Sequence, residues 1–245
     1  MVHMVSRVND GFDLYSELVE GVRDAAAARR FIRRFAARYA SPVVAGDGCD
    51  QEELRAAEDR LGFPLPVALR EVYALIGRRL DLTRSQDLLL APHRVSVEEA
   101  ARVLVFRWEC QHVAEWGIPL SAVTESDPPV VSRHDGEQVW HPFLDRVSLA
   151  CVEMVLSEWL ATGDAFGANL HLDDETVALL ESQFRRLPLP DYPRWADMPP
   201  VRWFEGLGAV LREDAGTWLW VRAPSADAIT AVQRALPGDW STDEV

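Results

Sequence analysis

The stretch that decides the fold is residues 61–77, which read LGFPLPVALREVYALIG. It places two prolines two positions apart between segments with helical periodicity. Gly62 follows the last periodic residue of the first segment, where a left-handed C-cap favours glycine. Pro64 prevents that helix from continuing, and Pro66 suits the first turn of a new helix because its missing N–H is not needed there. These residues predict two helices joined by a stiff corner, with Leu65 pointing into the core.

Each predicted helix carries its own sequence signals. Upstream of the corner, Asp50 and Glu53 have the spacing of a capping box, which closes the first turn of a helix. Downstream, Gly77 follows the last periodic residue. Apolar residues at helical spacing are Leu54, Ala57 and Leu61 on the first helix and Leu69, Val72, Tyr73 and Ile76 on the second. We expect both stripes to be buried.

The composition is that of a globular protein, with 48% hydrophobic residues among 245. No apolar run reaches the roughly 18 residues that a membrane span requires. Residues 1–20 lack a continuous apolar core, so we expect no secretory signal. Cys49, Cys110 and Cys151 are widely spaced, which is typical of reduced thiols. Cys110 and His112 are the only Cys/His neighbours, so we expect no metal site. The reduced cysteines and the missing secretory signal predict a cytoplasmic location, and we expect no cofactor.

The charge is strongly negative and unevenly distributed. The formal net charge is −14, and all 25 basic residues are arginine. Residues 1–46 carry seven arginines against five acidic residues, whereas residues 47–245 carry 18 arginines against 34 acidic residues, a net charge of −16. Such a body repels nucleic acid and attracts a basic partner. The alternative interpretation is that the acidic surface only maintains solubility.

Residues 1–46 are predicted to form an N-terminal helical extension. Residues 12–40 indicate one or two helices, with Asp24 as a cap and an apolar stripe at Phe31, Phe35 and Tyr39. Arginines surround this stripe. The helix is either a basic docking helix or an amphipathic helix packed on the acidic body, and the opposite charge of the body favours the second interpretation. Residues 42–48 then form a linker.

The middle of the chain predicts strands followed by a buried helix. Residues 103–106 form a short apolar run, residues 111–116, 129–132 and 137–140 are further predicted strands, and Asp135-Gly136 is a strong hairpin signal between the last two. Residues 148–160 are apolar on most sides, as in a buried helix. The acidic residues Asp173, Asp174 and Glu175 favour the N-terminus of a further helix. We therefore expect an α+β fold with a central, mostly antiparallel sheet and helices packed on it.

The C-terminal third begins with a proline-rich segment at residues 185–202. Five prolines exclude a regular helix or a central strand there. We expect an extended strap across the body rather than a polyproline ligand for another domain. A hairpin follows around residues 213–216, and a helix capped by Ser225 or Asp227 closes the domain. Residues 241–245 form an acidic tail.

The nine tryptophans are spread along the chain and are expected mainly in the core. Trp218 and Trp220 lie two positions apart and therefore share one face of a strand. Since the alternate positions are also apolar, this strand is predicted to be covered on both faces. Trp195 and Trp203, beside the strap, are the tryptophans expected to reach solvent.

The corner residues Leu61, Gly62, Leu65 and Pro66 resemble the L-G-x-x-L-P corner of the SUKH superfamily, which includes fungal Smi/Knr cell-wall regulators and many bacterial immunity proteins. Acidic residues precede the corner, as in that family, at Glu52, Glu53 and Glu58. The likeness continues through Glu109, Gln111, Trp116 and residues 103–106, 127–130 and 218–236. It implies a SUKH-like α+β domain over residues 47–240, with residues 1–46 outside the pattern.

The resemblance implies a non-enzymatic protein that binds and blocks a basic toxin domain, often a nuclease, in the cytosol. A carboxylate-rich surface could occupy a basic substrate groove by mimicking phosphate charge. The residues expected to bind the partner are Glu109, Glu115, Trp116, Glu125, Asp127, Asp135 and Glu137. Each of these could instead be a solvated charge of small energetic value.

Two other classes of function stay open. The first is a regulatory or scaffold module of the cell-wall-regulator type. The second is an enzyme built around His112, His134 or His141, which a cleft lined by two of these histidines would favour. No G-x-S-x-G, G-x-x-x-x-G-K-[ST] or G-x-G-x-x-G motif is present, so the sequence indicates no catalytic residues.

Overall fold

The computed structural model describes residues 11–134, 136–162, 166–193 and 199–241. The helices of these residues are α1 Leu14–Gly21, α2 Ala25–Tyr39, α3 Gln51–Leu61, α4 Val67–Ile76, α5 Leu80–Thr83, α6 Val147–Ala161, α7 Asp174–Gln183 and α8 Ala226–Ala235. None of the described helices is both long and apolar enough to cross a membrane.

The described strands form two sheets. The first sheet contains β1 Asp87–Leu89, β2 Ser96–Glu98, β3 Val103–Glu109, β4 Ala114–Pro119, β5 Val130–His134 and β6 His141–Leu144, in the order β1-β3-β4-β5-β6 with β2 also paired to β3. The second contains β7 Phe166–His171, β8 Arg185–Arg186, β9 Tyr192–Pro193, β10 Pro200–Gly206, β11 Ala209–Asp214, β12 Trp218–Ala223 and β13 Trp240–Ser241, in the order β13-β7-β12-β11-β10-β8 with β9 also paired to β10.

The α+β class is confirmed, with antiparallel pairing between all of these neighbouring strands. The strands do not, however, join one central sheet. The buried helix α6 separates the two groups of strands along the chain and contacts both sheets. Because α6 is apolar nearly all round, it can be buried between two layers rather than lie on one.

The corner between α3 and α4 has the predicted geometry. Asp50 and Glu53 form the capping box at the start of α3. Gly62 ends α3 with a φ of +80°, in the left-handed region. Leu65 is 3% exposed, and α4 begins directly after Pro66. The chain therefore forms two separate helices joined by a glycine turn, not one continuous helix.

Helices α1 and α2 belong to the same hydrophobic core as the first sheet. Phe31 and Phe35 are fully buried, and the Phe35 ring lies 5.5 Å from the Trp159 ring of α6. Asp24 caps α2 as expected. Of the surrounding arginines, Arg29 pairs with Glu71 of α4. Residues 1–46 were expected to form an extension, but their described part contributes directly to the main core.

A second core lies on the other face of the second sheet. There α7 and α8 cover Leu170, Leu211, Leu219 and Val221. Asp173 and Ser225 cap these two helices, in agreement with the sequence signals.

The strap runs along the second sheet, where Leu187 and Leu189 are buried in the main core and β8 and β9 are two-residue strands. The expectation that residues 185–202 contain no central strand is wrong at their end, because β10 begins at Pro200 and pairs with β11 on one side and with β8 and β9 on the other. A proline can be the first residue of a strand, where its missing N–H is tolerated.

The predictions for individual tryptophans are wrong in two places. Trp203 is fully buried, whereas Trp218 and Trp220 are 41% and 39% exposed. Trp203 can be buried because its indole N–H has a partner in the core, the Tyr192 hydroxyl, to which it donates at 2.9 Å. Strand β12 is central in its sheet, but the face that carries the other two rings is only partly covered. Trp195 lies outside the described residues.

Candidate functional site

A cleft of about 330 Å³ opens at one end of the first sheet. It lies between the β3–β4 turn at residues 110–113 and the β5–β6 turn that follows His134. The side chains that line it include His112, Glu115, Arg133, His134, Glu137 and Gln138. All six are polar, so the cleft is suited to a charged or hydrogen-bonding ligand rather than to an apolar one.

Strand register brings Glu115 and Arg133 together at the cleft. Glu115 on β4 lies opposite Arg133 on β5, and the guanidinium donates to the Glu115 carboxylate at 2.7 Å. Arg133 also lies 4.0 Å from Glu98 and 4.8 Å from the centroid of the Trp140 ring. Among the described lining residues two carboxylates, those of Glu115 and Glu137, stand against this one arginine, so the lining has an excess of negative charge.

Glu137 occupies the opposite wall of the cleft, in the turn between β5 and β6. One of its carboxylate oxygens accepts the backbone N–H of His134 at 3.2 Å and lies 3.7 Å from Nε2 of His141. Gly136 has a φ of +82°, which allows this tight turn. Residues 137–140 were expected to form the second strand of the hairpin. They instead form part of the turn, in which Glu137 and Gln138 line the cleft, and β6 begins at His141.

Glu109 holds the other turn in place. Its carboxylate accepts the backbone N–H groups of Gln111 at 2.5 Å and Val113 at 3.4 Å, and the side chain of Gln86 at 3.0 Å. Burial acts to raise the pKa of Glu109, but these hydrogen bonds and one from Cys110 outweigh it and lower the pKa. They stabilise the turn that presents His112, which has a φ of +63°.

The structure separates the residues that were expected to bind the partner. Glu109 and Trp116 are only 5% and 6% exposed, so the expectation that they face a partner is wrong. Glu109 is buried because it ties down a turn, and Trp116 because its side chain lies on the inner face of β4. Glu115 and Glu137 meet at the cleft, where Asp135 would follow His134 but lies outside the described residues.

The remaining two acidic residues lie at the opposite end of the first sheet, in the β4–β5 connection. Glu125 is exposed there. Asp127 has a structural role, because its carboxylate accepts the backbone N–H of Ser148 at 2.8 Å and the Ser148 hydroxyl at 2.6 Å, at the start of α6. Of the expected set, only Glu115 and Glu137 therefore form a common site within the described residues.

A buried charge network lies behind His134, which lines both the cleft and a small interior cavity. The network is formed by Asp87, Arg107, Glu153, Glu158, Tyr192 and Arg212. Glu153 accepts from Arg107 at 2.8 Å, from Ser157 at 2.6 Å and from the Tyr192 hydroxyl at 3.1 Å. Since these residues come from both sheets and α6, the network connects the two halves of the molecule.

The pKa values of Glu153 and Glu158, two acidic members of the network, are shifted in opposite directions. Although burial alone would raise it, Arg107 and Arg212 keep the pKa of Glu153 below its ordinary value. Burial raises the pKa of Glu158 to about 7, against the opposing effect of Arg107. The carboxylate of Glu158 accepts backbone N–H groups from Ser85, Gln86 and Asp87. No local sequence pattern indicates this network, because its residues are scattered over five elements.

The chemistry available at the cleft is hydrogen bonding and charge pairing. No group of three His, Cys, Asp or Glu side chains in the described part of the chain could hold a metal ion. The carboxylates of Glu115 and Glu137 can accept hydrogen bonds from an ammonium or guanidinium group, and Glu115 already accepts one from Arg133. His112 and His134 add groups that can donate or accept.

Comparison with known proteins returned no match to this chain among family models, curated proteins or solved structures.

Proposed function

We propose that this protein is a non-enzymatic binding module of the SUKH immunity type, which binds and neutralises a basic, nuclease-type toxin domain in the cytosol. The observation that carries the proposal is that Glu115 and Glu137 both line one solvent-open cleft. They sit on a body whose residues 47–245 carry 34 acidic residues against 18 arginines. Such an excess accelerates encounter with a basic surface.

The corner supports the family resemblance on which the proposal also rests. Gly62 takes the left-handed conformation and Leu65 enters the core, as the L-G-x-x-L-P pattern requires. The pattern therefore corresponds to a real break between two helices in this chain.

The cleft suits a lysine or arginine side chain of the partner. Among the described lining residues, Arg133 is the one arginine beside the carboxylates of Glu115 and Glu137, so the lining can take up a further positive charge. A nuclease places such side chains in its substrate groove to bind phosphates. Carboxylates that occupy these positions would block access of nucleic acid to the groove.

The test uses a partner captured from host cytosol and purified. Its association rate is measured by stopped flow with the wild type and with the double variant E115Q/E137Q. The matched control is E52Q/D59N, which removes the same charge at exposed residues outside the cleft. We expect the association rate constant of the cleft variant to be at least about tenfold lower than that of the control. Equal effects of the two variants would contradict the proposal, and capture of a housekeeping protein without toxin activity would favour the regulatory alternative.

A second candidate function is small-molecule chemistry in the cleft, which is favoured by the presence of both His112 and His134 in its lining. A histidine beside a carboxylate can act as a general base. A screen of chromogenic esters and phosphodiesters with the wild type and H112A distinguishes the two candidates. Turnover that H112A abolishes would establish the enzyme and replace the binding role.

A further inference from the structure

The second sheet carries an aromatic face that the fold itself does not require. We define it by the rings of Trp218, Trp220 and His171. Trp218 and Trp220 are 41% and 39% exposed, whereas Leu219 and Val221, on the other face of β12, are buried. Large apolar side chains grouped on an exposed surface commonly mark an interaction site.

The cover provided by α6 ends beside this face. Arg222 shares a face of β12 with the two tryptophans, and its guanidinium donates to the backbone carbonyl of Trp159 near the end of α6. The same guanidinium lies 4.7 Å from the Trp159 ring centroid. Trp220 and Trp218 follow at increasing distance along the strand from this contact, where their rings reach solvent.

Trp218 contacts both of the other rings of the aromatic face. The centroids of Trp218 and Trp220 lie 6.3 Å apart with an interplanar angle of 35°. His171 on β7 pairs with Trp218 across the sheet, and its ring meets the indole edge-to-face at 5.2 Å. This contact holds Trp218 in place, so the face is ordered before a partner binds, which reduces the entropic cost of binding.

Three exposed carboxylates follow the aromatic face in the chain. Asp173, Asp174 and Glu175 begin two residues after His171 and are all exposed. Two exposed indole rings on a protein with a net charge of −14 are suited to guanidinium groups, which stack on aromatic faces and also pair with carboxylates. Arginine is better suited than lysine because its planar group can do both at once.

We propose that the aromatic face binds an arginine-rich segment of the partner, at a site separate from the cleft. The inference rests on the proposed function for the basic character of that partner. Association of two copies of this chain through the same face is opposed by a net charge of −14 on each copy. The aromatic face and the cleft would together contact the partner at both halves of the molecule.

The direct test is calorimetric titration with an oligo-arginine peptide and an oligo-lysine peptide of equal length. We expect the wild type to bind oligo-arginine several-fold more tightly than oligo-lysine. The variant W218S/W220S should lose at least about tenfold in affinity for oligo-arginine. The matched control is L207S, which removes an apolar side chain that is 52% exposed outside the aromatic face. It should bind like the wild type.

A second variant keeps the test valid if the tryptophan double variant fails to fold. D174N/E175Q changes only exposed residues in the first turn of α7 and should weaken oligo-arginine binding several-fold. Unchanged affinity in a folded W218S/W220S variant would overturn the inference, as would a wild-type dimer that this variant dissociates in sedimentation velocity. Loss of partner association in E115Q/E137Q but not in W218S/W220S would overturn this inference alone. Loss of partner association in W218S/W220S but not in E115Q/E137Q would overturn the role of the cleft in the proposed function.

Discussion

At the residue scale, Gly62 is the position at which one residue type decides the local fold. Its φ is +80°, and a Cβ at this position would meet no heavy atom within 4 Å. The only penalty for alanine is therefore the left-handed backbone. We expect G62A to lower the free energy of unfolding by roughly 1 kcal/mol and G62N, which tolerates this conformation, by less. Urea denaturation measures both, and equal stability of G62A and the wild type would contradict the account of the corner.

Glu109 shows how a surface prediction failed at a single residue. An acidic residue at a strand end is expected to be solvated, but this one turns inward to accept hydrogen bonds from the turn that follows it. We expect E109A to destabilise the protein by about 2 kcal/mol, because backbone N–H groups lose their buried acceptor. Binding of a basic partner by the remaining folded protein should be unchanged. A stable E109A with weakened binding would restore the original interpretation.

The tryptophans mark the limit of what a residue pattern can say about burial. The alternation in β12 predicted correctly which residues share a face. It could not tell that the face of Trp218 and Trp220 is left open, because that depends on where α6 ends. Trp203 was misjudged for a related reason, since its partner Tyr192 is supplied by the strap.

At the element scale, α6 carries the buried charge network that connects the two sheets. Burial raises the pKa of Glu158 from 4.5 to about 7. The folded protein therefore retains a proton that the unfolded chain releases, and the resulting stability is present below pH 4.5 and is lost as the pH rises through 7. As the pH rises from about 5 to 8, ionisation of Glu158 should lower the free energy of unfolding by up to roughly 3 kcal/mol, at about 1.4 kcal/mol for each pKa unit.

The pH prediction is checked by urea denaturation of the wild type and E158Q over that range. Glutamine resembles the protonated carboxyl but does not titrate, so the decline with pH should be largely absent in the variant. Glu153 titrates below its ordinary range and should not contribute to this decline. An identical slope in both proteins would show that Glu158 is ionised throughout.

Elements with local signals could be predicted, whereas their arrangement could not. The capping residues Asp24, Asp50, Asp173 and Ser225 each mark the helix start that the structure contains. Caps and glycine turns act within a few residues, so a single sequence is enough to identify them. The separation into two sheets and the pairing of Arg107 with Glu153 depend on contacts between distant segments, which no local pattern encodes.

At the scale of the whole molecule, charge is the property that the proposed function uses. A net charge of −14 acts over a distance that salt shortens to about 10 Å at 0.1 M. The composition alone indicated a basic partner, but the structure was needed to find that Glu115 and Glu137 form one cleft. The separation of Glu125 and Asp127 from them follows from the antiparallel order of the strands.

The most direct test of the central claim, that outward carboxylates attach this protein to a basic partner, is the stopped-flow association rate constant of the purified pair as a function of ionic strength. We predict that it falls by at least about tenfold between about 50 and 500 mM salt, and that E115Q/E137Q flattens this dependence more than E52Q/D59N does. A rate constant that does not change with salt would contradict the claim.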